Sequence, residues 1–477
     1  MAQKPIDTPL SAPPNSAEQA KLLGTSYRST FIAAMFLVCL FNFGDRSVFL
    51  VLGQTLKREF QLSDLQWGLL SGPAFGALYA IAGIPLGRLA EHTSRVRIIA
   101  ACTGIWSLMT VSCGLATGFF TLMLARFGVG IGEAGFTAPV NSLVGDKFPK
   151  QRRASTVSLI MLGTPAGLLT GSLVGGWAAA EWGWQAAFFA MGIPGLFVAL
   201  LVFLLLREPD RGLVDGTAKP TSPPPNFGAF LKEMWRKKAL FFVIIGGGMV
   251  GLASTSVSNF MPIFLQRVHE MDVRQASQFY GPISAGSLAI ALVVGSFGAD
   301  WLASRGDARW PAWIAAIGLA LAPIIYWFAL TTPSIAIATT LLIFAGAMMM
   351  MFYGPTSGMI QNMLEPRMRA TGAAMFTMLN TFCGSVLAPP LVGLGSDLLA
   401  ARAFRGDFGE QCPKGLAPEG ATPDIVQACA AASATGVQQA LMIAVCATFL
   451  ACISFLLATL TLRQSQYEAK PTPQTSA

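Results

Sequence analysis

Four residues of this chain could do chemistry where charge is expensive to hold. Asp45 and Arg46 stand side by side in FNFGDRSVF, inside a stretch from Ser29 to Leu56 that carries no other charge. Arg126 and Glu133 share the segment RFGVGIGEAGF. If these segments cross a bilayer, each charge costs on the order of 2.5–3.5 kcal/mol near the midplane. Charges kept at that cost pair with one another or serve a passing ion, proton or substrate. On a helix Arg126 and Glu133 lie nearly on one face, about 10 Å apart along the axis. Gly128, Gly130 and Gly132 between them allow a helix or a ligand to come close. The residues read as a proton site, Glu133 and Asp45, beside an anion site. Arg126 and Arg46 would take the anion, with Asn42 and Phe49 on the same helix as Arg46. A substrate anion that occupied Arg126 would free Glu133 to hold a proton, a coupling that needs no metal and no cofactor. The competing reading is a buried Asp45–Arg126 pair that only fixes helix register.

Further along, TSVSNFMPIF supplies Ser256, Asn259 and Phe260, MMMMFYGPTSGMIQN supplies four consecutive Met and then Tyr353, and LNTF supplies Asn380. Met adapts to irregular apolar ligands. A wall of Met and Phe with Asn259, Tyr353 and Asn380 suits an amphipathic anion held opposite the charged wall. Equally, these Met could pack only against neighbouring helices or lipid.

The elements that must position these residues follow from composition. The chain has 477 residues, 53% hydrophobic and 12% charged, with mean hydropathy +0.57. A soluble domain carries roughly 25% charged residues. Apolar runs long enough to span about 30 Å of hydrocarbon recur along the chain without β-barrel alternation, which predicts an all-α integral membrane protein. Twelve spans are predicted: Ser29–Leu56, Leu65–Leu86, Ile98–Gly118, Phe119–Gly145, Ala154–Ala180, Trp184–Leu206, Ala239–Gln266, Gln275–Ala299, Trp310–Thr332, Pro333–Leu364, Ala370–Ser396 and Val437–Leu462. They fall into two six-helix bundles, 29–206 and 239–463. Between them, 207–238 is a cytoplasmic linker with a short amphipathic helix in FLKEMWRKK. Residues 1–28 and 464–477 read as cytoplasmic tails, the first disordered and without the apolar core of a signal peptide. A 6+6 plan suggests repeated halves with a site between them.

Of the 32 Lys and Arg, about 23 fall on the side of the termini and about 7 on the other. This makes the termini cytoplasmic. The net charge of +8 is thus a topology signal, with no nucleic-acid partner. Cys412 and Cys429 lie in the extracytoplasmic loop 402–435, where a disulfide between them is expected. The two histidines, His92 and His269, fall in loops at opposite faces, so no nucleophile–base or metal cluster supports an enzyme. No span carries a polar stripe through both halves, which argues against an open channel.

The loop GIPLGRLAEHTSRVRII after the second span resembles the cytoplasmic signature of the major facilitator superfamily. Gly87, Glu91 and Arg95 take its Gly, acid and distal basic places, and His92 replaces a basic residue. A second, less complete copy, GSFGADWLASRGDAR, follows the eighth span. The resemblance implies that Glu91 caps the helix of span eleven and that Arg95 pairs with Asp146 to close the cytoplasmic side. Within that superfamily NFGDRSVF, RFGVGIGEAGF, DKFPKQRRAST and REPDRG resemble the Spinster family, proton-linked exporters of lysolipids and sphingosine phosphates. The likeness implies a proton-coupled, alternating-access transporter of an amphipathic anion; the low cysteine content and polar tails suggest the lipid bilayer of a bacterial inner membrane, and a monomer is expected. The anion:cation symporters share DRS and GEA, which keeps a small organic anion such as a sugar acid as the second reading. A non-transporting receptor or scaffold is the third.

Overall fold

The computed structural model describes residues 24–210, 227–305, 307, 309–365, 368–418 and 420–466. Residues 1–23 of the predicted tail 1–28, 467–477 of the predicted tail 464–477, and 211–226 of the linker lie outside them. Twelve helices are long and apolar enough to cross a membrane: Thr25–Val51, Asp64–His92, Arg95–Cys113, Phe119–Lys147, Gln151–Trp182, Trp184–Leu205, Lys238–Val268, Val273–Gly295, Trp310–Thr331, Ile335–Met363, Thr371–Ala403 and Pro423–Thr461. These are spans one to twelve, arranged as two six-helix bundles. Several boundaries differ from the apolar runs, the starts of spans one and twelve among them. Span one starts at Thr25 because TSYR is helical although polar. Span twelve starts at Pro423, well before Val437, because the Ala-rich PDIVQACAAASATG continues the helix beyond its apolar part. Pro423 suits the first helical turn, where its missing N–H costs nothing.

Six of the twelve helices are interrupted, and the interruptions repeat between halves. Span two bends at Gly72–Pro73, span four breaks after Glu133, and span five breaks at Leu162. Six spans later, span eight carries a π-turn at Ala291–Gly295, span ten breaks at Met351–Phe352, and span eleven carries a π-turn at Phe382–Leu387. Such breaks are tolerated in lipid only where neighbours re-satisfy the backbone, and they mark the faces turned toward a cavity.

The halves meet along two seams of small residues. In the first, Gly68 and Gly72 of span two lie against Pro389 and Ser385 of span eleven, and a Cβ on Gly68 would collide with the Pro389 carbonyl. In the second, Ser172 Oγ of span five donates to the Ser277 carbonyl of span eight at 2.7 Å, with Gly176 packed on the Ser277 side chain. Both seams lie toward the side of the loop between spans eleven and twelve, here called the loop side. Toward the terminal side, where span one begins, the halves part. A Cβ on Gly83 or Gly87 of span two, or on Gly358 of span ten, would meet no neighbour within 4 Å. Close approach of backbones through small residues is how helices associate in lipid.

The linker helix, Phe227–Arg236, buries Phe230 and Met234 against the second half and leaves Trp235 exposed. Lys237 Nζ then donates to the Met363 carbonyl at 2.6 Å, fastening the linker to the end of span ten.

Candidate substrate cavity and its charged wall

Asn42, Asp45, Arg46 and Phe49 follow one another on span one at helical spacing, yet they fan out to different neighbours. Asp45 is 2% exposed and turns to span three, where its Oδ2 accepts from Thr110 Oγ1 at 3.0 Å and its Oδ1 has no partner among the described residues. Arg46 turns to spans two and four. Its Nε donates to Glu133 Oε2 at 2.6 Å, and its guanidinium lies over the rings of Phe43, Phe75 and Tyr79, 4.4 Å from Phe75. Glu133, fully buried, is the last residue before the break in span four. Arg126, 4% exposed, has no ion pair among the described residues. Its guanidinium stacks on Phe49 at 4.0 Å and faces Phe75 at 5.2 Å, and its Nε is unpartnered. Phe49 is held in turn by Trp67, stacked at 4.8 Å. The Asp45–Arg126 lock does not form here; Arg46 and Glu133 pair instead.

A cavity of about 310 Å³ opens beside this wall, between the halves. Arg46, Arg126 and Asn259 line it. Asp45 and Glu133 sit behind the two arginines, with Phe49 and Asn42 buried in span one. Tyr353, 53% exposed at the break of span ten, lies outside this cavity against Phe352 and Phe376. Asn380 Nδ2 donates to the Gly247 carbonyl at 2.9 Å and ties span eleven to span seven. The second-half wall differs from a plain Met and Phe surface. Met349 and Met350 are there, with Ser254 and Ser258 from span seven and Tyr280, Ser284 and Ser287 from span eight. Their spacings of four, and of four then three, put each set on one helical face. That stripe was the available signal. Ser256, singled out from the sequence, instead donates to the Leu252 carbonyl at 2.7 Å.

The cavity is sealed on the loop side by a buried charged cluster. Asp64 accepts from Arg267 through both carboxylate oxygens at 2.9 Å, from Ser396 Oγ at 2.6 Å, and from Lys57 Nζ. Arg267 also donates to Gln54 Oε1 at 2.9 Å. Asp397, near the end of span eleven, accepts from the N–H groups of Asp64 and Leu65 at 3.0 and 2.9 Å and so caps span two. This contact bridges the two halves. Its predicted counterpart at the other side, Glu91 on span eleven, is not made. Glu91 is exposed, with no side-chain bond among the described residues, and Gly87 has open space before it. Arg95 does pair with Asp146, and its Nε donates to Glu208 Oε1 at 2.6 Å. Glu208 Oε2 accepts from the Val96 N–H at 3.0 Å, so the acid of REPDRG caps span three. Arg95, Val96 and Asp146 belong to the first half and Glu208 to the start of the linker, so these contacts tie the linker to the first half. On the loop side, Cys412 and Cys429 form a disulfide.

Comparison with known proteins agrees with this architecture. Residues 35–389 match the Major Facilitator Superfamily. An MFS-type efflux pump of Mycolicibacterium smegmatis is 32% identical over 376 residues, covering 77% of this chain and 84% of that protein. Protein spinster homolog 1 of Homo sapiens is 26% identical over 387 residues, covering 77% of this chain and 73% of that protein. The crystal structure of a bacterial homolog to the human lysosomal transporter Spinster, inward-facing and unoccupied, is 30% identical. It superimposes with TM-score 0.83 over 94% of this chain and all of that one. The chain therefore belongs to the Major Facilitator Superfamily, as a membrane transporter that resembles the Spinster proteins.

Proposed function

We propose that this protein is a proton-coupled, alternating-access transporter of an amphipathic anion of the lysolipid or sphingosine-phosphate kind. It would work in a bacterial inner membrane, as a monomer with cytoplasmic termini. The observation that carries this reading is Arg126. It is a buried cation on the cavity wall without an acidic partner among the described residues, while the adjacent Arg46 is held by Glu133. An anion arriving at Arg126 meets Arg46 as well. Drawing Arg46 toward the anion loosens its bond to Glu133, and the released carboxyl, buried from water, takes a proton. A buried charge that loses its partner neutralises rather than remaining charged. Anion entry and proton uptake at the buried Glu133 thereby become one event, with the buried Asp45 as a second carboxyl. Phe43, Leu50, Met349 and Met350 supply apolar contact for a tail.

A small hydroxylated organic anion such as a sugar acid is the second reading, favoured by the Ser and Tyr stripe on the second-half wall. Proteoliposomes test the proposal. Substrate-dependent proton movement that Arg126→Ala abolishes is expected, with lysophosphatidate or gluconate as the anion. Transport of either anion without proton movement would remove the coupling, and movement of neither would remove the substrate class.

A further inference from the structure

The hydrogen-bonding polarity of the second-half wall can be read atom by atom, because a backbone carbonyl only accepts. Asn259 places its Nδ2 on the Thr255 carbonyl at 2.7 Å, so the amide oxygen must point the other way. That oxygen is buried and without a partner among the described residues, in a residue lining the cavity. Ser284 Oγ donates to the Tyr280 carbonyl at 2.9 Å, Ser287 Oγ to the Ile343 carbonyl at 3.0 Å, and Ser254 Oγ to the Gly251 carbonyl at 3.2 Å. Tyr280 Oη donates to the Ser258 carbonyl at 3.2 Å. Each of these protons is committed to the protein's own backbone. From these five residues only lone pairs remain for the cavity; the hydroxyls of Thr255, Ser258, Tyr326 and Ser385, also on this wall, make no hydrogen bond among the described residues. The first-half wall is the reverse, with Arg126 and Arg46 offering only donors.

We infer that the substrate carries hydrogen-bond donors, hydroxyl or primary ammonium groups, that face the second half while its anionic group lies on Arg126. This rests on the carrier reading above and narrows its substrate class. An anion with a wholly apolar or N-methylated remainder would leave the Asn259 oxygen buried and unsatisfied, whereas a donor-bearing one satisfies it. Leaving a buried acceptor unmade is the costly outcome, and sites built around such groups reject analogues that lack the matching group.

The test uses pairs of probes with the same anion and tail. Lysophosphatidylethanolamine is set against lysophosphatidylcholine, which replaces the ammonium hydrogens by methyls, and gluconate against hexanoate. Binding to the purified full-length protein is measured for the wild type, Ser284→Ala, Ser287→Ala, Asn259→Asp and Arg126→Ala. The donor-bearing member is expected to bind roughly tenfold tighter in the wild type. The gap should narrow in the two Ser→Ala variants and persist in Asn259→Asp, which keeps an acceptor. Equal, Arg126-dependent binding of both members overturns the inference and leaves the carrier reading intact. A wild-type gap that neither Ser→Ala variant narrows also overturns it, because another surface then reads the donors. Binding of no probe, or binding indifferent to Arg126, overturns the carrier reading and this inference with it.

Discussion

Arg267, at the end of span seven, grips Asp64, the first residue of span two, through both terminal nitrogens at 2.9 Å. The pair is buried and joins the two halves, so it holds the loop side shut. Removing one partner of such a pair typically costs about 3–5 kcal/mol, because the other charge stays buried and uncompensated. Asp64→Asn leaves two, Arg267 and Lys57. The loop-side-closed state should therefore lose population. A cysteine at Leu168 on the cavity wall, in a background without the six free cysteines, reports it. An impermeant reagent added from the loop side should label the Asp64→Asn protein at least tenfold faster. Unchanged labelling would mean the seams alone hold that side closed.

Lys57 gives the same seal a pH dependence. Burial, and then the Arg267 charge, lower its pKa from the usual 10.5 to about 8 despite the pull of Asp64. Once the seal opens and water reaches it, the ordinary value returns. Closing thus releases a proton between about pH 8 and 10.5, so closure is favoured as pH rises through that window. Below pH 8 Lys57 is charged in both states and contributes no slope. Loop-side labelling at Leu168→Cys should slow from pH 8 to 10, and Lys57→Met should flatten the profile. An identical slope in Lys57→Met assigns the effect elsewhere.

Glu133→Gln mimics the protonated acid and removes the anionic partner of Arg46. Uptake driven by a proton gradient should fall at least tenfold, while exchange of substrate across the membrane continues. Full gradient-driven uptake by this variant would take Glu133 out of the coupling.

Arg126→Ala should weaken anion binding by about 2 kcal/mol, some thirtyfold. Arg126→Lys should recover only part of this, since an ammonium lacks the planar fork that stacks on Phe49. Equal affinities of Lys and Arg would reduce the site to a point charge.

Glu91 is exposed where the halves stand apart, whereas Arg95 and Asp146 of the first half are already engaged with each other and with Glu208 of the linker. Glu91→Gln should therefore leave thermal stability within about 0.5 kcal/mol but slow transport by disfavouring the terminal-side-closed state. Glu208→Gln should lower the melting temperature, because it weakens the cap on span three and removes one of the two acids paired with Arg95. The reverse pattern would exchange the two assignments.

The fold was legible because spans announce themselves by length and apolarity, and the breaks by Gly and Pro. The charged wall was legible because charge inside a span is rare, so Asp45, Arg46, Arg126 and Glu133 stood out singly. Their pairing was not. Asp45 and Arg46 are adjacent in sequence, and only packing decides that one turns to Thr110 and the other to Glu133. Lys57 and Asp64 were passed over because charges in a loop carry no signal of burial. Arg267 completes their cluster from more than two hundred residues away. The hydroxyl stripe was hidden for another reason: Ser in a membrane helix usually bonds its own backbone, and Ser256 does so without facing the cavity.

The last helix has a practical consequence. At 39 residues it is about 58 Å long, nearly twice the roughly 30 Å hydrocarbon thickness. Its first turns are riveted to the preceding loop by the Cys412–Cys429 bond. The second half thus carries a stiff helical extension on the loop side. An antibody fragment gripping that extension would ride rigidly with a single bundle, giving electron microscopy a fixed landmark and leaving the other bundle free to rock against it.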